Sequence, residues 1–117
     1  MKSKTEFIIT LQGLSAHGSA PHSGHDALVA ASSVVMNLQA LASRINNPLN
    51  PFTLTIQSLN GGTRFNIIPD DAKLEGFFLS ESTDFALEAK KILEKITKDA
   101  ADIYGCTAAL SWKGDLQ

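Results

Sequence analysis

Hydrophobicity along this chain keeps changing its period, and that switching narrows the folds open to it more than any other feature. Glu6 to Gln12 alternates residue by residue, with Phe7, Ile9 and Leu11 on one side and Ile8, Thr10 and Gln12 on the other. That is the pattern of a half-buried strand. From Leu28 the repeat lengthens to helical spacing through Ala31, Val35, Leu38, Ala42 and Ile45, with Ala27, Ala30, Val34 and Leu41 on an adjacent stripe. Asn46-Asn47-Pro48-Leu49-Asn50-Pro51 then stops the helix, because proline removes a donor and pushes the residue before it out of helical geometry.

Alternation returns from Phe52 to Leu59, where Phe52, Leu54 and Ile56 oppose Thr53, Thr55 and Gln57. Ala72 to Leu79 predicts a third strand, with Leu74 and Phe78 toward the core and Gly76 between them. Ser80 to Thr83 supplies turn and N-cap chemistry, and Asp84 and Glu88 place negative charge near a helix's positive end. Phe85, Ala89, Ile92, Ile96, Ala100 and Ile103 then predict a single-striped helix whose outer face carries Glu88, Lys91, Glu94, Lys95 and Lys98. Gly105 sits where that helix would turn, and Thr107 to Lys113 predicts a fourth strand with Ala108, Leu110 and Trp112 facing together.

Strand, helix, strand, strand, helix, strand is the order of an α+β, ferredoxin-like βαββαβ domain. It predicts a four-stranded antiparallel sheet with two helices on one face. At 117 residues the chain reads as one domain, residues 1–117, long enough to bury a core. The double stripe on the first helix asks for a second apolar neighbour. A helix deep in a larger core is hard to satisfy at this size, so the expected neighbour is a second subunit: a homodimer through the first helix and the threonine-rich second strand.

Composition removes other classes. The net charge of −2, without a lysine or arginine run, gives no footprint for nucleic acid or an anionic membrane. No apolar run is read as approaching bilayer-spanning length. Met1 to Thr5 leads straight into a strand, so no signal peptide is expected. The one cysteine, Cys106, rules out an internal disulfide and suits a reducing, cytoplasmic compartment.

Chemistry concentrates in Gly13 to Asp26, which holds all three histidines among glycine, serine, alanine and proline. Such small residues mark a loop held close against something. Ser23 and Asp26, three apart before an apolar run, give a helix-start signal of the capping-box kind. His17, His22 and His25 fall short of a metal set, with no nearby cysteine and Asp26 as the one carboxylate. Ser15, Ser19 and Ser23 lack a nucleophile elbow, and Cys106 lacks a histidine partner. His17, directly before Gly18, is the best placed to donate a hydrogen bond to developing negative charge. His22 and His25 are expected to cap the helix or face solvent. The stretch from Asn60 to Asp71 is too long for a tight hairpin turn, and loops of about a dozen residues are more often functional than accidental.

Together, Gly13-x-x-x-His17-x-x-x-Pro21-His22, Asp26-Ala27-Leu28 and Gly61-Gly62-x-x-x-Asn66-Ile67-Ile68-Pro69-Asp70 resemble the dimerisation (lid) domain of the zinc-dependent aminoacylase, carboxypeptidase and hippurate-hydrolase metallopeptidases. The resemblance runs from Glu6 to about Lys113. It implies a lid excised from a larger two-domain enzyme whose missing catalytic domain holds two divalent metal ions, with no metal or other cofactor held by the lid. It further implies that His17 reaches into the partner subunit's site to stabilise an oxyanion, that Asn66 and Gly62 serve substrate binding, and that the substrate is an N-acyl amino acid or small peptide. The family's carboxylate-clamping arginine late in the third strand is matched by about Leu79, which makes no bidentate contact, and Arg64 is the candidate substitute. The fragment alone is expected to be inactive. The alternative is a free-standing dimeric module that binds a small regulatory metabolite.

Overall fold

In the computed structural model, which describes residues 3–62 and 66–113, the chain runs β1 (Ser3–Gln12), α1 (Ala27–Ala40, continued by a π-helical turn Leu41–Ile45), β2 (Phe52–Gly61), β3 (Asp71–Ser80), α2 (Thr83–Ile103) and β4 (Thr107–Lys113). The strands form one four-stranded sheet in the order β2-β3-β1-β4, every pair antiparallel. That is the expected ferredoxin-like arrangement, with β2 and β4 as the two edges.

The core lies between one sheet face and both helices. Phe7, Ile9 and Leu11 of β1 and Ala72, Leu74 and Phe78 of β3 meet Ala27, Ala30, Ala31, Val34, Leu38 and Leu41 from α1 and Ala89, Leu93 and Ala101 from α2. Gly76 lies under the Phe7 ring, where a Cβ would come within 2.8 Å of it. On the opposite face Lys4 pairs with Glu6 and Lys73 with Glu75, each at 3.4 Å, and Lys4 also lies 4.9 Å from the centre of the Phe77 ring.

Several boundaries differ from the sequence reading. β1 begins at Ser3 because β3 extends to Ser80 and pairs with it there. β2 continues to Gly61, with an irregularity between Ile56 and Ser58 that shifts its register. Leu59 thereby comes opposite Leu74, on the core side. The helix-start signal belongs to Asp26, whose carboxylate accepts from the amides of Leu28 and Val29; Ser23 instead ends a 3₁₀ turn, Pro21–Ser23. In α2 the buried line is Ala86, Ala89, Leu93, Thr97, Ala100 and Ala101, while Ile103 is 73% exposed. The helix touches α1 as well as the sheet, so its buried arc turns toward that neighbour, and alanines permit the close approach.

Contrary to the sequence reading, one helix does reach membrane-spanning length. Ala27–Ile45 is 19 residues with a mean hydropathy of 1.3. Packing accounts for part of that apolarity: Ala27, Ala30, Ala31, Val34, Leu38 and Leu41 are buried against the sheet and α2, while Val29, Met36 and Ile45 are exposed. Leu28, Val35 and Ala42 on its flank are half-buried, Val35 against the core and the Leu28 side chain against Gly61 of β2.

Candidate functional site

Two segments that are far apart in sequence meet beyond the ends of β1 and β3. Backbone hydrogen bonds join them: Gly13 N–H to Asp70 O (2.8 Å), Ile68 N–H to Ala16 O (2.7 Å) and Gly18 N–H to Asn66 O (2.7 Å). His17 and Ile67 form an antiparallel bridge, and so do Leu14 and His25. The loop of small residues is therefore held against 66–70 and against its own return strand. Gly13 carries no Cβ because one would collide with the His25 carbonyl oxygen. Each bond contributes about 1 kcal/mol net, so the three together favour this docked arrangement of the loop.

On this docked loop His17 is exposed. Its Nδ1 accepts from the Ser19 backbone N–H at 3.1 Å and lies 2.8 Å from Ser19 Oγ. With Nδ1 as acceptor, the neutral ring carries its proton on Nε2, which has no partner among the described residues. An N–H donor directed outward from such a loop is the group needed to stabilise an oxygen that gains charge.

Asn66, beside Gly18, has φ 72°, in the left-handed region that asparagine tolerates better than most residues. Its side chain is exposed. Gly62, with φ 85°, supplies the left-handed backbone that leads out of β2. Arg64 lies outside the described residues. A cleft of about 330 Å³, lined by Thr10, Asn60, Gly61, Gly62, Asp71, Ala72 and Lys73, opens at the same end of the sheet. A larger one, about 430 Å³, is lined by Lys98, Asp99, Asp102, Cys106, Thr107 and Ala108 and includes neither His17 nor Asn66.

Other residues singled out from sequence fall elsewhere. Leu79 is eight residues along β3 from Asp71, about 26 Å from the His17 end at ~3.3 Å per residue. His22 sits exposed on the 3₁₀ turn, whereas the His25 ring packs over Gly105, where a Cβ would overlap it. Cys106 is buried; burial first, and the Asp26 carboxylate second, push its thiol above the ordinary value and leave it a poor nucleophile. No three His, Cys, Asp or Glu side chains converge among the described residues. Sequence reasoning missed Ser19 as the partner of His17, and the one available signal was a serine two residues after the histidine across a glycine.

The sequence profile of the peptidase dimerisation domain matches residues 2–105. Thermostable carboxypeptidase 2 of Saccharolobus solfataricus is 30% identical over 116 residues, which cover 99% of this chain and 30% of that protein. N-acetyl-L-cysteine deacetylase of Bacillus subtilis is 30% identical over 112 residues, covering 96% and 27% respectively. Among solved structures, a protein described as an aminohydrolase from methicillin-resistant Staphylococcus aureus superposes with a TM-score of 0.92 at 32% identity, over 97% of this chain and 29% of that one. The chain spans 27% to 30% of the length of these two curated relatives.

Proposed function

Because the chain belongs to the peptidase dimerisation domain family, we propose that it is the lid of a larger metal-dependent amide hydrolase acting on N-acyl amino acids or small peptides. The activities named for the two relatives, a carboxypeptidase and a deacetylase, support that substrate range. The observation that carries the reading is His17, held by two clamped segments with Nε2 turned outward. By the resemblance, two metal ions are assigned to the catalytic part of the parent. When bound there, they would supply Lewis-acid polarisation of the scissile carbonyl.

The chain's own residues then act as follows. His17 Nε2–H donates to the carbonyl oxygen as that oxygen gains negative charge, so the contact strengthens on the way to the transition state. The Asn66 amide binds the substrate's polar backbone from the adjacent bridge. The apolar side of α1 (Leu28, Val35, Ala42) and the free β2 edge together form the surface for a second copy. Antiparallel pairing of two β2 edges would bring the His17 end of one copy beside the Leu79 end of its mate. Residues some 26 Å apart in one copy could in that way serve one pocket. Leucine at that end makes no bidentate contact with a substrate carboxylate, which leaves Arg64 as the candidate for that contact. The single buried thiol fits a reducing, cytoplasmic setting.

The test is His17→Ala in the parent enzyme. Turnover should fall about 10²–10³-fold with little change in KM, the loss seen when one oxyanion donor is removed. A variant that turns over at the wild-type rate would remove His17 from the chemistry.

A further inference from the structure

His17 opens a β-turn: Ala20 N–H donates to the His17 carbonyl at 2.9 Å, which leaves Gly18 and Ser19 at the two central positions. The turn aims the Ser19 amide back at the ring, 3.1 Å from Nδ1, with Ser19 Oγ 2.8 Å from the same nitrogen. A backbone N–H can only donate, so a proton on Nδ1 would point at another proton. We propose that Ser19 is a positioning residue that locks His17 in the Nε2–H tautomer and fixes its ring plane. This rests on the donor role given to His17 above and specifies how the loop keeps that donor ready.

The lock is built into the docked loop. Gly18 N–H is held by Asn66 O at 2.7 Å and Ile68 N–H by Ala16 O at 2.7 Å, so the backbone on both sides of His17 is fixed before the ring is placed. Ser19 Oγ lies 2.8 Å from the same nitrogen, and in the Nε2–H tautomer its hydroxyl donates to the one lone pair that the amide also engages. His22 provides the internal contrast: it is exposed and its ring has no partner among the described residues. An exposed imidazole without such a partner exchanges between tautomers and rotates about its side-chain bonds. Each excursion takes the outward N–H away from where a substrate oxygen would sit.

The experiment is nitrogen NMR of the 15N-labelled chain at a pH above the imidazole titration. In the wild type, His17 Nδ1 should resonate as a lone-pair nitrogen and Nε2 as a protonated one. The Ser19 amide nitrogen should also show scalar coupling to His17 Nδ1 through the hydrogen bond. Ser19→Ala keeps the amide, so the coupling persists while the Nδ1 resonance moves toward that of His22. Ser19→Pro removes the amide hydrogen, and the coupling is lost with a tautomer ratio approaching that of His22. Proline can disturb the turn, so the wild-type coupling and the Ser19→Ala shift decide by themselves. A wild-type His17 with the tautomer ratio of His22 and no coupling to Ser19 would overturn the lock. These readouts are on ring nitrogens and independent of turnover. An inert His17→Ala substitution in the parent would sink the donor role and leave the lock standing.

Discussion

At Asn66 the backbone φ of 72° and the exposed amide are separable. Asn66→Gly should keep the stability of the chain within a few tenths of a kcal/mol, whereas Asn66→Ala should cost about 1 kcal/mol, because alanine resists the left-handed region. Chemical denaturation of the two variants checks this. In the parent both should raise KM, since neither retains the amide; a glycine variant with wild-type KM would make Asn66 a turn residue only. Thr97 gives a second test: it is fully buried on α2 and its Oγ1 has no hydrogen-bond partner among the described residues. Thr97→Val should raise stability by about 1 kcal/mol, because the orphaned hydroxyl is removed at nearly constant shape. An unchanged or lower denaturation midpoint would mean the hydroxyl is satisfied. Cys106 should react slowly with a thiol reagent in the folded chain and quickly once unfolded. Its neutral form is favoured by folding, so the associated stability is complete below the ordinary thiol pKa and declines as pH rises through the folded one. His17 stood out as the candidate donor because it lies directly before Gly18 in a loop of small residues that leave an approach open, and its role is the one proposed above. Ser19 did not, since much of its part is played by a backbone amide that every non-proline residue carries.

The elements were legible to different degrees, for physical reasons. Period-two alternation in β1 placed Phe7, Ile9 and Leu11 on the core side because one face of the sheet is buried and the other carries Lys4, Glu6 and Thr10. Period alone could not show the β2 irregularity near Gln57, which brings Leu59 onto the core side. Such a bulge costs no hydrophobic residue and leaves no compositional mark. Likewise, the rotation of the buried line on α2 depends on α1 as a second neighbour, which no local window contains. The double stripe on α1 was readable, but its halves do not separate into core and flank. Ala27, Ala30, Val34 and Leu41 are in the core and so are Ala31 and Leu38 of the other stripe, whose remaining members Leu28, Val35 and Ala42 are half-buried and Ile45 exposed, with Leu28 against Gly61 of β2. Val35→Lys should therefore weaken self-association by at least tenfold while circular dichroism retains the helix and sheet signals. Its long stem can cover the partly buried site and extend its charge to solvent. A variant that associates as the wild type would move the interface off this side of α1.

At the scale of the molecule, the sheet has one covered face and two edges, and the loops that carry His17 and Asn66 lie at one end of a flat, elongated body 50 × 24 × 17 Å. Pairing through β2 would lengthen the sheet and shield an edge that is otherwise open to other strands. It would also carry each His17 away from its own copy's Leu79 end and toward that of its mate. The direct test is the solution mass of this chain by light scattering across a micromolar concentration series. Association through α1 and β2 predicts a species of about twice the 12.5 kDa chain mass, dissociating on dilution. A monomer of 12.5 kDa at every concentration would contradict a lid that pairs through its own α1 and β2.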